Sequence, residues 1–306
     1  MAAVLPGKDS KRNLLVAAHV DKIWPESDDH TVNVEVGKMS GRGIADNSLG
    51  VAVLATLPLI LKALEIRLKS NLILLGTTRS FGRGNLAGMR FFLENTDRVI
   101  DSALCFEGMN LGRLSYSSLG MARGVVTVEW LGEGGSPDER CSGAIARLNQ
   151  VVERIITLNR DEFPETRILI GSLEAGSGYN VPPGKAKVSF EIRSEDAGLV
   201  RRVEEKVASL VHRADTAYAG EVGAEMIAHR QPGDLGGDHP LVKQASYALD
   251  RLGIRPRVEP SISELAALLD KRIPALTLGI TKGENRHTPD EMIHLEPIFD
   301  GLAQIV

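Results

Sequence analysis

Apolar residues fall into compact blocks along the first third of the chain. Leu14 to Ala18, Leu72 to Leu75 and Ala103 to Phe106 are short runs without a polar interruption, as in strands buried on both faces. Val51 to Leu64 and Leu86 to Glu94 carry their apolar residues at helical spacing instead. Strands separated by helices predict a mostly parallel sheet flanked by helices. Beyond Gly120 the period changes to two. Val126, Val128 and Trp130 alternate with Thr127 and Glu129, which predicts a half-exposed antiparallel strand. Ala144 to Leu158 is an amphipathic helix with Ile145, Leu148, Val151, Val152 and Ile155 on one face. Strands over 167–173 and 185–193, a helix over 197–213 and a short strand over 222–228 complete a β-α-β-β-α-β module. The α/β texture returns at His239, with a helix over 240–252 and a buried strand from Ala275 to Ile280. The chain therefore divides into an α/β domain built from 1–120 and 236–306 and an inserted α+β domain at 121–235.

Composition changes this picture little: 306 residues, 43% hydrophobic and 25% charged, are ordinary for a globular chain. Val51 to Leu64 holds Pro58 and Lys62 and is too short to cross a bilayer. Met1 is not followed by a basic region and an apolar core, so no secretory signal is expected and a cytoplasmic location is. Cys105 and Cys141 are the only two cysteines, too few for a disulfide framework, and both are expected to be reduced. A net charge of −4 gives no electrostatic reason for nucleic acid or an acidic membrane surface as a partner.

Chemistry-bearing side chains gather at the ends of the predicted strands. His19 and Asp21 form H-V-D directly after Ala18, and Glu107 follows Phe106. Asp46 lies in the Gly-rich stretch "GRGIADNSLG" that opens a helix, and His287 in "ENRHTPDE" beyond Ile280. Taken singly, each is more often a solvated or capping residue. Together, at the carboxyl ends of parallel strands, two imidazoles and two carboxylates suit a borderline divalent ion such as zinc. Asp21 is placed to hold the second ring nitrogen of His19.

Seven segments, in order, carry a resemblance: "AAHVD", "GRGIADNSLGVAVLA", "GRGNLAGMRFFL", "CFEG", "GEGG…SGAIARLNQVVERI", "GSLEAGSGYNVPPGKAKVSFEIR" and "PALTLGITKGENRHTPDEMIHLEPI". From Leu14 to Val306 the chain resembles the zinc-dependent aminoacylase/carboxypeptidase superfamily, which includes acetylornithine deacetylase, succinyl-diaminopimelate desuccinylase and glutamate carboxypeptidase. The resemblance implies a phosphorylase/hydrolase-like catalytic domain with an inserted lid that pairs two copies as a homodimer. It implies hydrolysis of amide bonds in small peptides or N-acyl amino acids. His19, Asp46 and Glu107 would hold one zinc ion, and Asp46 would bridge to a second held by His287. Asp21 would orient His19, and Asn180 and Arg193 of the lid would bind substrate.

Three positions depart from that pattern. After Leu75 the family carries two adjacent glutamates, the general base and a ligand of the second ion; here Ser80 and Phe81 stand in register, and no acid occurs from Asn71 to Phe92. A serine hydroxyl takes a proton near neutral pH only if another base activates it. Phe81 is expected to be packed, and a phenyl ring cannot ligate zinc. The third departure lies in the lid, where a histidine usually follows "GEGG"; this chain continues with Ser136 and Pro137. One ion (zinc, with cobalt or manganese as alternatives) is therefore expected rather than two. An impaired hydrolase and a non-catalytic binding or assembly protein on the same fold are the two readings the residues leave.

Overall fold

The computed structural model describes residues 1–130, 137–216 and 220–306. In chain order the elements used below are β1 (Ala2–Leu5), β2 (Asp9–His19), α1 (Leu49–Ala63), β3 (Ser70–Thr77), α2 (Ala87–Asn95), β4 (Ser102–Glu107) and β5 (Arg113–Ser115). Then follow β6 (Gly120–Trp130), α3 (Ala144–Thr157), β7 (Arg167–Ala175), β8 (Lys185–Ser194), α4 (Ala197–Thr216) and β9 (Gly220–Arg230). The chain closes with α5 (Pro240–Arg251), β10 (Arg257–Val258), α6 (Glu264–Asp270), β11 (Ala275–Gly279) and α7 (Ile298–Ala303). Two compact units result: Met1–Ser118 with Gly233–Val306, and Leu119–Pro232.

In the first unit seven strands pair in the order β1-β3-β2-β4-β11-β5-β10. β3, β2, β4 and β11 run parallel at its centre, and β1 is antiparallel to β3. Both faces are apolar, which is why these strands read as unbroken runs. Val16, Ala18, Leu72, Leu74 and Phe106 meet Val53, Leu54, Leu57 and Leu61 of α1. Leu15, Ala17, Ile73, Leu75 and Ala103 meet Met89 of α2 and Leu265 and Leu268 of α6 on the other face. Each Val, Leu, Ile, Phe or Met among them, fully buried, contributes about 1.5–3 kcal/mol of transfer free energy. The stretch Ile44–Ala63 is apolar enough by composition to cross a membrane, but half of it is buried inside the unit, as in a core helix.

The second unit is an antiparallel sheet in the order β7-β8-β6-β9. Val126, Val128, Val188 and Ile192 point from the sheet into a core completed by Leu148, Val151 and Ile155 of α3 and Val200, Val203 and Val207 of α4. The boundaries between the units fall at 118/119 and 232/233 rather than at 120/121 and 235/236. Gly120 already pairs with Ser194 of the second sheet, whereas Gly233 and Asp234 pair with Ser118 and Ser117 of the first unit. The final strand of the inserted unit also runs longer than the apolar pattern suggests, since Gly220 to Arg230 pairs with β6 from Trp130 back to Met121. Gly134, Gly135 and Ser136, at the lid departure, lie outside the described residues.

Candidate metal centre

Parallel register brings the site together. His19 ends β2 level with Thr77 at the end of β3, and Glu107 ends β4 level with Gly279 of β11. The Asp46 loop is pulled onto this sheet edge by Asn47, whose amide donates to the Phe106 carbonyl (2.7 Å) and accepts from Gly108 N (2.9 Å). Only glycine fits at two of these positions. A Cβ on Gly108 would stand 2.4 Å from the Ala45 carbonyl oxygen, and one on Gly50 2.1 Å from Asn47 Oδ1. Glu291 fastens the other side. It is fully buried, and its Oε1 accepts from Ala45 N (2.7 Å) and Asp46 N (2.9 Å), while Oε2 accepts from His287 N (3.0 Å). One carboxylate thereby fixes both the Asp46 loop and the His287 loop.

The donor atoms of His19, Asp46 and Glu107 lie within 4.8 Å of one another, and all three residues are buried. His19 Nδ1–H donates to the Asp21 carbonyl (3.1 Å); a carbonyl can only accept, so this bond presents Nε2 to the site. Nε2 stands 3.0 Å from Asp46 Oδ1, yet that buried oxygen receives no hydrogen bond of acceptable angle. The surroundings demand positive charge. Burial alone would lower the His19 pKa, but the adjacent Asp46 carboxylate, with the charges of Glu264 and Glu107, pushes it up to about 10. An imidazole nitrogen and two carboxylates, one of them with an orphaned buried oxygen, are a donor set into which a divalent cation such as zinc fits.

The remaining expected residues occupy defined places. His287 Nε2–H donates to Asp46 Oδ2 (2.7 Å), and its backbone φ of 66° is left-handed. The Asp21 carboxylate is not the nearest group to His19: Oδ1 lies 3.8 Å from Nδ1, farther than the Asp21 carbonyl. Its Oδ2 instead accepts from the backbone amides of Ser80 (2.8 Å) and Phe81 (3.3 Å), so Asp21 ties the turn after β3 to the His19 strand end. Phe81 is half-buried rather than packed in the core. Its ring stands edge-on to both imidazoles, with centroids 5.0 Å from His19 and 6.4 Å from His287, because the turn carries it over the site and not beneath the sheet. Ser80 is buried, and its hydroxyl bonds Glu264 Oε1.

Pattern reading missed Arg286, Glu264, Glu291 and Asn47. Arg286 donates from Nε (2.8 Å) and Nη2 (2.6 Å) to Asp46 Oδ2, and Nη2 lies 3.7 Å from Glu107 Oε2. The available signals were weak: an arginine adjoining His287, an acid four residues after it, and an acid heading the apolar run "ELAALL".

Asn180 and Arg193 belong to the second unit. Asn180 is exposed in an open depression of about 870 Å³ lined also by Arg140, Tyr179 and Pro183. Arg193 shares the Glu191 carboxylate with Arg123; burial opposes ionisation of Glu191, but the two guanidinium groups outweigh it and lower its pKa.

Residues 15–305 match Peptidase family M20/M25/M40, and the chain belongs to that family. It is a family of metal-dependent hydrolases with a peptidase fold. A [LysW]-lysine/[LysW]-ornithine hydrolase of Saccharolobus islandicus is 23% identical over 171 residues, 55% of this chain and 47% of the relative; the match spans about half the relative's length. Human carnosine dipeptidase 1 shares the fold at a TM-score of 0.75 and 15% identity, covering 99% of this chain and 81% of that one. A dinuclear metal-binding M20 peptidase of Bacillus subtilis, YXEP, does so at 0.63 and 17%, covering 99% and 84%.

Proposed function

We propose that the protein is a metal-dependent hydrolase of amide bonds in small peptides or N-acyl amino acids, working with one zinc ion and at reduced turnover. The observation that carries this reading is the buried His19–Asp46–Glu107 cluster with its unsatisfied Asp46 oxygen. His19 Nε2, Asp46 Oδ1 and a Glu107 oxygen would hold the ion. An ion there supplies a Lewis acid for the scissile carbonyl and makes water more acidic. Asp21, through its carbonyl, keeps Nε2 of His19 aimed at the site, and Glu291 keeps Asp46 and His287 in place. Arg286 brings a permanent positive charge to Asp46 Oδ2, the oxygen turned away from His19. With Phe81 beside His287, that charge takes the place of a second cation. We assign Asn180 and Arg193 to substrate binding and the second unit to self-association, with β9 as its edge strand. Light scattering that returns a monomer at micromolar concentration removes the self-association assignment.

One observation favours a non-catalytic binding protein instead: Arg286 already pairs with Asp46 without any ion, and His287 donates to the same oxygen. Elemental analysis after exhaustive dialysis separates the readings. We expect one divalent ion per chain, absent from His19→Ala, with hydrolysis of an N-acyl amino acid or dipeptide panel slower than the roughly 1–10³ per second of ordinary enzymes. Two ions per chain contradict the single-site assignment, and none supports the binding protein.

A further inference from the structure

We infer that Ser80 and Glu264 form a two-residue proton relay that stands in for the carboxylate missing from the turn after β3. The inference rests on the hydrolase reading above and extends it to the group that takes the proton.

Glu264 is the first residue of α6 and only 2% exposed, an environment in which glutamate is rare unless partnered. Its Oε1 holds the Ser80 hydroxyl in a short hydrogen bond and accepts a second from Thr77 Oγ1 (3.1 Å). A carboxylate thus returns to position 80 from a different element: a side chain one hydroxyl long on the turn meets a long side chain rising from the helix beneath. Two of the groups around the pair belong to the candidate centre. The Ser80 amide is fixed on Asp21 Oδ2, and the next residue, Phe81, lies against the His19 ring. Ser80 is the outer member of the pair and Glu264 the inner one. His19 at the end of β2 and Cys105 on β4 both feel the Glu264 charge.

The relay balances without further reagents. As water attacks the amide carbonyl, its proton passes to Ser80 Oγ while the Ser80 proton passes to Glu264 Oε1. When the carbon–nitrogen bond breaks, the Glu264 proton returns through Ser80 to the leaving nitrogen. A carbon–oxygen bond has formed, and both residues end as they began. Ser80 touches the reacting water; Glu264 is a positioning and proton-accepting residue that acts through it. A bare serine could not take the proton; the Glu264 carboxylate bonded to its hydroxyl supplies the acceptor.

The test uses the full chain loaded with zinc, assayed on the same dipeptide and N-acyl amino acid panel, with ion content and urea unfolding measured on every variant. Glu264→Gln should lower kcat/KM by about 10²–10⁴-fold and erase the acid limb of its pH profile, while one ion per chain remains. Glu264→Asp should keep an acid limb at an intermediate rate. Ser80→Ala should lose about as much as Glu264→Gln, and the double variant no more than either, because two members of one relay fail together. Should Glu264→Gln not fold, Ser80→Ala carries the test through the same pH profile. A merely structural pair would lower the unfolding midpoint and leave the profile unchanged. A wild-type rate and profile in Glu264→Gln or Ser80→Ala, or losses that add in the double variant, overturns the relay alone. Unmodified protein that binds its ion and turns over nothing overturns the hydrolase reading and the relay with it.

Discussion

Asp46→Asn should strip the protein of its ion and destabilise the fold in one step. Asp46 is 4% exposed and serves four cationic or proton-bearing atoms at once. His19 Nε2 lies 3.0 Å from Oδ1, while Oδ2 takes Arg286 Nε at 2.8 Å, Arg286 Nη2 at 2.6 Å and His287 Nε2 at 2.7 Å. An asparagine of the same shape fills the space without the charge. Arg286 is then left with Glu107 at 3.7 Å as the nearer carboxylate. Removing one partner of a buried ion pair costs about 3–5 kcal/mol, and because Arg286 keeps partial access to water we expect the lower end, about 3 kcal/mol. Urea unfolding of metal-free protein isolates that loss, and elemental analysis reads the ion. Asp46→Asn with an unchanged midpoint and a full complement of metal would show that the cluster is neither the ion site nor a stabilising network.

The contrast between what the chain displays and what it hides has a physical basis. Strands β2, β3 and β4 were legible because a sheet covered on both faces leaves no polar residue inside the run. His19 and Glu107 were legible for a related reason: they are the first polar residues after such runs, where strand ends meet solvent and ligands. Asp46 was marked by its glycines, and the structure gives two of them a reason: Gly43 is left-handed at φ 72°, and a Cβ on Gly50 would stand 2.1 Å from Asn47 Oδ1. Glu264 offered nothing comparable, since an acid heading an apolar helix normally reads as a favourable charge at the helix N-terminus. Its partnership with Ser80 spans 184 positions and exists only because α6 packs beneath the turn after β3. Arg286 was overshadowed by its neighbour His287, although it makes two hydrogen bonds to Asp46 where the histidine makes one. The missing glutamates were plain in the sequence; the groups gathered around the gap were not.

Those surroundings alter what restoring a glutamate should do. Ser80→Glu alone would press a second carboxylate against Glu264 in a pocket where Ser80 is 7% and Glu264 2% exposed. Like charges in contact cannot both stay ionised, so one carboxyl must take up a proton or the turn must open. An uncompensated buried charge costs on the order of 3 kcal/mol, and Ser80→Glu should unfold at correspondingly lower urea. Moving the carboxylate rather than adding one removes the conflict. Ser80→Glu combined with Glu264→Ser keeps one acid and one hydroxyl in the same contact and should recover most of the lost stability. It also places the acid directly on the turn, so hydrolysis should rise above that of the unmodified protein, because the proton no longer crosses an intervening hydroxyl. Adding Phe81→Glu to this swapped pair supplies a further carboxylate beside His287, whose ring now lies 6.4 Å from the Phe81 ring. That variant should bind a second divalent ion and gain stability when the ion is present, since binding to the folded state adds to its unfolding free energy. The decisive comparison is between the single and swapped variants in urea. If Ser80→Glu is as stable as the unmodified chain, or if Glu264→Ser does not rescue it, then Ser80 and Glu264 are not in the contact on which the relay depends.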